Sequence, residues 1–291
     1  MPYATLKEYI QTVNYLTVNE RRLAWWQHHA PGKPVILFIH GFPSASWDWH
    51  HQWADLSTDY HLVSMDMLGY GLSDKPVPYG YTLAEQARFY LALLAHLNIS
   101  KCHVLAHDYG DSVAQELLHM VETEQTQIQL SSITFLNGGL FSESHRPLLT
   151  QKLLKSVIGP WAVKFLNERS LEGSFKRIFG PQTPPKKHEI ATLWQLLQIN
   201  NGVKAMPYLL QYIDERKQRR QDWLDAMQST QVPMLFINGR HDPISGEHMR
   251  LRWQQLLPHA PTCSLPVGHY PQIESAQRVT EVFMNFIANS N

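Results

Sequence analysis

Lys101-Cys102-His103-Val104-Leu105-Ala106-His107-Asp108-Tyr109-Gly110-Asp111 reads as an apolar strand running into a sharp turn, with Asp108 at the tip. Within it, Ala106-His107-Asp108-Tyr109-Gly110 has the form small-x-nucleophile-x-small. That is the spacing of a nucleophile elbow, in which small flanking residues let strand and helix approach while the central side chain stands exposed on a strained backbone. In the G-x-S-x-G form of this turn the middle residue is a serine. A serine must lose a proton before it attacks, whereas a carboxylate with an ordinary pKa of about 3.9 is already anionic at neutral pH. Asp108 therefore moves the expected chemistry from acyl transfer toward displacement at a saturated carbon.

Working outward from the elbow, short runs rich in Val, Ile, Leu and Phe recur at 35–39, 61–67, 101–106, 131–137, 232–238 and 263–267. Most run into Gly, Asn, Asp or His, and most are separated by helical patterns such as 83–97, 111–121, 246–257 and 272–288. Ahead of them, 10–18 and 21–27 alternate around Val18-Asn19-Glu20 as a hairpin of antiparallel edge strands. Strands alternating with helices predict an α/β fold: a mainly parallel sheet of eight strands covered on both faces, with ligands bound beyond the strands' carboxyl ends.

The rhythm breaks between Asn137 and Val232, where no strand pattern occurs. Helical patterns at 147–158, 162–167, 188–198 and 206–227 fill the interval. The chain is thus expected to divide into a core, 1–137 with 231–291, and a helical lid, 138–230. Aromatics run through the lid, among them Trp161, Phe165, Phe175, Trp194, Tyr208 and Tyr212, which favours a cover over the active face rather than a purely structural insertion. The basic run Arg216-Lys217-Gln218-Arg219-Arg220 is expected to be a solvated helix face.

The 291 residues are 44% hydrophobic, enough for one large domain. Lys plus Arg and Asp plus Glu are equal at 25 each, so no net field recommends a nucleic acid, an anionic membrane or a polyanion as partner; a small apolar substrate is expected instead. The oligomeric state is not readable from the sequence. Cys102 and Cys263 lie in strand-like runs and read as reduced, buried structural thiols. The stretch Met1–Val13 lacks the apolar core of a signal peptide, and no run approaches the roughly 18 apolar residues of a membrane span, so a cytoplasmic protein is expected. Sixteen histidines invite a metal reading, but the neighbours His28/His29 and His50/His51 are expected to point to different sides. With no H-E-x-x-H or clustered C-x-x-C, neither metal nor organic cofactor is expected.

Attack by a carboxylate leaves an ester that only an activated water can remove, so Asp108 needs a base. His269, in Pro266-Val267-Gly268-His269-Tyr270-Pro271 after the last strand, is placed to hang over the same sheet edge. Asp242, in Asn238-Gly239-Arg240-His241-Asp242-Pro243, is the candidate acid to orient the imidazole, and its alternative use is an Asx turn before Pro243. The other possible acid position, Asn137-Gly138-Gly139, offers no carboxylate until Glu143. The order nucleophile, acid, base is that of hydrolase triads. His40-Gly41-Phe42-Pro43 ends the 35–39 strand and nominates the amides of Phe42 and Tyr109 as the oxyanion hole. The stretch from Asp66 to Pro76 reads as a structural Gly-rich turn.

On these residues the chain resembles the α/β-hydrolase superfamily, in particular its epoxide hydrolase and haloalkane dehalogenase branch. The resemblance rests on His40-Gly41-Phe42-Pro43, the Asp66 to Pro76 motif, His107-Asp108-Tyr109-Gly110, Asp242 and Gly268-His269. The chain is similar also to the mesoderm-specific transcript protein group, through His107-Asp108-Tyr109-Gly110-Asp111, Ala114-Gln115-Glu116-Leu117-Leu118, His145-Arg146-Pro147-Leu148-Leu149, Gln151-Lys152-Leu153-Leu154-Lys155 and Leu209-Leu210-Gln211-Tyr212-Ile213.

The resemblance implies a hydrolase with an eight-stranded α/β-hydrolase core and a helical lid, working through a covalent alkyl ester on Asp108. Dehalogenases of the branch hold the departing halide with an Asn after His-Gly and a Trp after the nucleophile; here those places hold Phe42 and Tyr109. Epoxide hydrolases share the His-Gly-x-Pro turn and use lid tyrosines to donate to the opening ring, which nominates Tyr212 or Tyr208. Epoxide hydrolysis is the first expectation. Haloalkane dehalogenation and a catalytically silent binding protein are the alternatives, and ester hydrolysis is weaker because Ser112 stands a turn past the tip.

Overall fold

The structure, a computed structural model, describes residues 5–289; the first four residues of the stretch expected to lack a signal peptide lie outside them. Eight strands form one sheet: β1 (Asn14–Val18), β2 (Arg21–His28), β3 (Val35–Ile39), β4 (His61–Met65), β5 (Lys101–His107), β6 (Gln129–Leu136), β7 (Met234–Gly239) and β8 (Thr262–Leu265). Their order is β1-β2-β4-β3-β5-β6-β7-β8. The first two junctions are antiparallel and the rest parallel, so the hairpin expected at the edge places only β1 there, while β2 is paired on both sides. Residues 10 and 11 belong to a short helix, α1 (Leu6–Gln11), rather than to the first strand, because the Thr5 hydroxyl caps the Glu8 N–H.

Strands β3 to β6 are almost wholly buried, as runs covered on both faces must be. On one side pack α2 (His50–Leu56) and the last helix pair; on the other, α3 (Leu83–His96) and α4 (Tyr109–Glu122). Thr82 caps α3 through the Glu85 N–H. His50 and His51 do not diverge as expected: they open α2, where neighbours are separated by about 100° rather than 180°, and their rings lie 3.9 Å apart. Cys102 is buried, but Cys263 sits half-exposed on the edge strand β8; both are free.

Between β6 and β7 the described chain is helical: α5 (Leu149–Lys155), α6 (Gly159–Ala162), α7 (Glu168–Ile178), α8 (Lys187–Gln198), α9 (Met206–Leu209) and α10 (Tyr212–Ser229), with 3-10 turns at Val163–Phe165 and Ile199–Ala205. Helix α7 lies where the sequence reading placed none. Asn167 caps it through the Ser170 N–H, and Leu171, Phe175 and Ile178 repeat at helical spacing on its buried face. After β7 come α11 (Glu247–Leu256), α12 (Pro271–Glu274) and α13 (Ala276–Ala288), the last two divided at Ser275. No helix of the described residues is long and apolar enough to cross a membrane.

Candidate active site

Asp108 stands between β5 and α4 with φ 50° and ψ −103°, a left-handed conformation costly for any residue but glycine. The turn is so tight that a Cβ on Gly110 would lie 2.5 Å from the Ile39 carbonyl oxygen, so the small residue two places on is obligatory. Adjacent strand β3 delivers the second turn, and there the Phe42 N–H donates to Asp108 Oδ2 at 3.1 Å. The Tyr109 N–H, at the head of α4, makes no hydrogen bond to that carboxylate among the described residues.

His269 follows β8, and its Nε2 lies 3.9 Å from Asp108 Oδ1. Its Nδ1 donates to Asp242 Oδ2 at 2.8 Å. The loop is pinned from several sides: the His269 N–H donates to the Ile178 carbonyl at the end of α7, and Glu274 accepts from the amides of Gly180, Gly268 and Tyr270. Asp242 also accepts from the Ile244 N–H at 2.8 Å, the Ser245 N–H and hydroxyl, and Asn137 Nδ2. The Asx turn and the contact with His269 are therefore one arrangement, in which the turn holds the carboxylate that holds the ring. Burial opposes both charges, but each outweighs it for the other: the Asp242 carboxylate, followed by Asp108 and Glu274, raises His269 to about 9, while His269 and the converging donors depress Asp242. Asn137 contributes as a donor where no acid is available, and Glu143 is spent on Arg220 and Arg252 away from the site.

Arg216 was missed by the sequence reading, which put it on a solvated face. It is 1% exposed. Its Nε donates to Ser112 Oγ at 2.6 Å and its Nη2 to the Asp108 carbonyl at 2.8 Å, with Nη2 3.8 Å from Asp108 Oδ1. A Cβ on Gly139 would meet Nη1 at 2.3 Å, so glycine there makes room for the guanidinium. The signal that could have found it is its spacing of four from Tyr212, which places both on one face of α10. Arg219 and Arg220 of the same run pair with Glu116 and Glu143. Asp111, a turn past the tip, is fully buried with neither carboxyl oxygen hydrogen-bonded among the described residues; burial first, then the Asp108 charge, push it well above the usual carboxylate range.

Of the two tyrosines, the structure brings Tyr212 to the site and Tyr208 elsewhere. Tyr212 is fully buried, 4.7 Å from the Tyr109 ring and 6.5 Å from Phe42, with Arg216 stacked 4.3 Å over it. Among the described residues its hydroxyl makes no hydrogen bond of good geometry, and burial followed by the Asp108 charge raises its pKa, which keeps the proton on. Tyr208 lines a separate depression with Val77, Pro160 and Lys204. A cavity of about 120 Å³ opens beside His269 and Phe42, walled by Leu154, Leu171, Phe175 and Trp194.

A family model described as alpha/beta hydrolase fold matches residues 34–276. The mesoderm-specific transcript protein of Mus musculus is 38% identical over 267 residues, covering 88% of this chain and 79% of that protein. Epoxide hydrolase 4 of Mus musculus is 30% identical over 142 residues, covering 48% of this chain and 36% of that one. Among solved structures, a haloalkane dehalogenase DbeA-M1 loop variant from Bradyrhizobium elkanii superposes with a TM-score of 0.77 at 18% identity, covering 96% of each chain. At that identity the likeness speaks for the fold and not the reaction.

Proposed function

The chain belongs to the α/β-hydrolase fold family, and from that premise we propose that it hydrolyses an epoxide through a covalent ester on Asp108, beneath a lid formed by residues 138–230. The observation that carries this reading is the pair of environments on one carboxylate. Asp108 Oδ2 is held by the Phe42 N–H, while Oδ1 faces His269 Nε2.

Oδ1 attacks a ring carbon and the carbon–oxygen bond of the ring breaks. The electron pair goes to the ring oxygen, which takes a hydrogen bond and then a proton from Tyr212. That step needs no base, and a protonated His269 does not hinder it. Ester formation removes the Asp108 charge, one of the lesser causes that hold His269 high, and the Tyr212 phenolate takes back a proton at the expense of His269, which leaves a neutral imidazole to accept a proton from water. The hydroxide attacks the ester carbonyl, charge develops on Oδ2, and the Phe42 N–H stabilises it, with the Tyr109 N–H as the candidate second donor. Collapse breaks the bond between the Asp108 carbonyl carbon and Oδ1; His269 returns its proton to the departing diol oxygen, and the new Asp108 carboxyl gives its own proton to His269, which restores the starting carboxylate and imidazolium. Asp242 fixes the tautomer of His269, and Arg216 holds the elbow through the Asp108 carbonyl. The apolar cavity supports a small apolar substrate. Haloalkanes are less well served, because Phe42 and Tyr109 put no side-chain N–H beside a departing halide.

The test is intact-mass analysis of wild type and His269→Gln with a panel of epoxides, haloalkanes and esters. We expect wild type to turn over epoxides and the variant to accumulate an alkyl adduct on Asp108. Halide release would redirect the reading to dehalogenation. Turnover of esters without an Asp108 adduct would overturn the nucleophile assignment, and neither turnover nor labelling with any panel member would favour a silent binding protein.

A further inference from the structure

Residues 149–165 present an apolar surface to solvent. Leu149 is 81% exposed, Val157 98%, Trp161 63% and Phe165 65%, and Leu153 and Ile158 are exposed with them. These are six of the ten large apolar side chains exposed among the described residues, so they form a concentration rather than the ordinary scatter. Helix α5 packs on α6, α6 on the 3-10 turn after it, and the Trp161 and Phe165 rings meet edge to face at 5.1 Å.

Charge follows the same segment. Between Glu143 and Glu168 the sequence has no acidic residue but carries Arg146, Lys152, Lys155 and Lys164. Lys155 is paired with Asp214, while Lys152 and Lys164 are exposed beside the apolar side chains. The overall neutrality of the chain conceals this local excess. Aromatic and aliphatic side chains bordered by lysines are the composition of a face that rests in the headgroup region of a bilayer. A second copy fits worse, because a twofold interface would set two acid-free basic segments against each other.

The segment also walls the cavity. Gln151 and Leu154 of α5 and Leu166 face it from within, and the exposed Asn167 and Ser170 mark where it meets solvent, two residues beyond Phe165. We propose that residues 149–165 dock this protein on the surface of an anionic lipid bilayer, with the cavity mouth set at the membrane boundary. The docking does not depend on the chemistry at Asp108.

The experiment is flotation of the full chain with vesicles of phosphatidylcholine alone or with about a third phosphatidylglycerol, at low and high salt. Wild type is expected to float with the anionic vesicles and to be released by salt. The pair Trp161→Ser and Phe165→Ser lowers binding at least tenfold, and Lys152→Glu with Lys164→Glu removes the preference for the anionic lipid; both doubles melt as wild type does. The proposal is overturned if wild type floats with neither vesicle, or if the aromatic double binds as wild type does. It is overturned equally if light scattering shows a wild-type dimer that the aromatic double dissociates.

Discussion

The two ends of the helical region between β6 and β7 reverse the usual rule for what goes inside. From Leu149 to Phe165 large apolar side chains stand in solvent, whereas α10, a helix dominated by charged and amide residues, carries Tyr212, Arg216 and Trp223 into full burial. The cause lies in what each faces. Helix α10 packs on α4, whose covered surface presents acceptors: the Asp108 carbonyl, Ser112 and Glu116. Glu116 alone takes the Trp223 indole N–H at 2.6 Å and Arg219 at 3.1 Å. The outer face of α5 and α6 is left exposed by the described residues. Burial is thus decided by the complement a helix meets, and hydropathy predicts it only when that complement is apolar.

The sharpest way to break this comparison is to remove the buried cation. Arg216→Met leaves the Ser112 hydroxyl and the Asp108 carbonyl without their donor inside the protein, at an expected cost of about 3–5 kcal/mol. We expect the melting temperature to fall by roughly 10 °C and Asp108 adduct formation to slow about 100-fold, since the elbow loses its clamp. Arg216→Lys should recover only part, because an ammonium does not span both acceptors as the planar fork does. Unchanged melting and labelling would show that the guanidinium is merely accommodated.

The second test uses neighbours on α5. Leu154 is 6% exposed and lines the cavity, while Leu153 is 48% exposed on the outer face. Leu154→Ala is expected to cost about 2–4 kcal/mol and Leu153→Ala within about 0.5 kcal/mol, read from denaturant midpoints. Equal costs would mean that the outer face is covered in the isolated protein.

The same contrast explains what was legible in the sequence. The sheet was readable because β3 to β6 are covered on both faces and so appear as short runs rich in Val, Ile, Leu and Phe between turn residues. Asp108 was readable because its strained turn demands small neighbours at fixed offsets, and Asp242 because the turn that marks it also points it at His269. Helix α7 was legible but passed over, since its Asn167 cap and its Leu171, Phe175, Ile178 repeat lie in an otherwise polar stretch. Arg216 was not readable as buried. Its spacing of four from Tyr212 gives it a shared helix face that Lys217, which is exposed, does not have, but what draws a cation into full burial there is the set of acceptors at and beside α4, about a hundred residues earlier.

Asp111 sharpens the comparison with the smallest expected effect, because it is the acid at the α10 end of the site whose carboxyl oxygens meet no donor at good hydrogen-bond geometry among the described residues. Its pKa is raised in the folded state, by burial and then by the Asp108 charge, so the folded protein retains a proton that the unfolded chain releases from about pH 4 upward. In that range the folded state binds more protons, and stability falls as pH rises. Asp111→Asn removes the titration while keeping the shape. The variant should match wild type near pH 4 and melt higher by a few degrees at pH 8. If the variant instead melts lower at pH 8, Asp111 is an ionised partner of Arg216, and the buried end of α10 is held by a charge pair rather than by neutral acceptors.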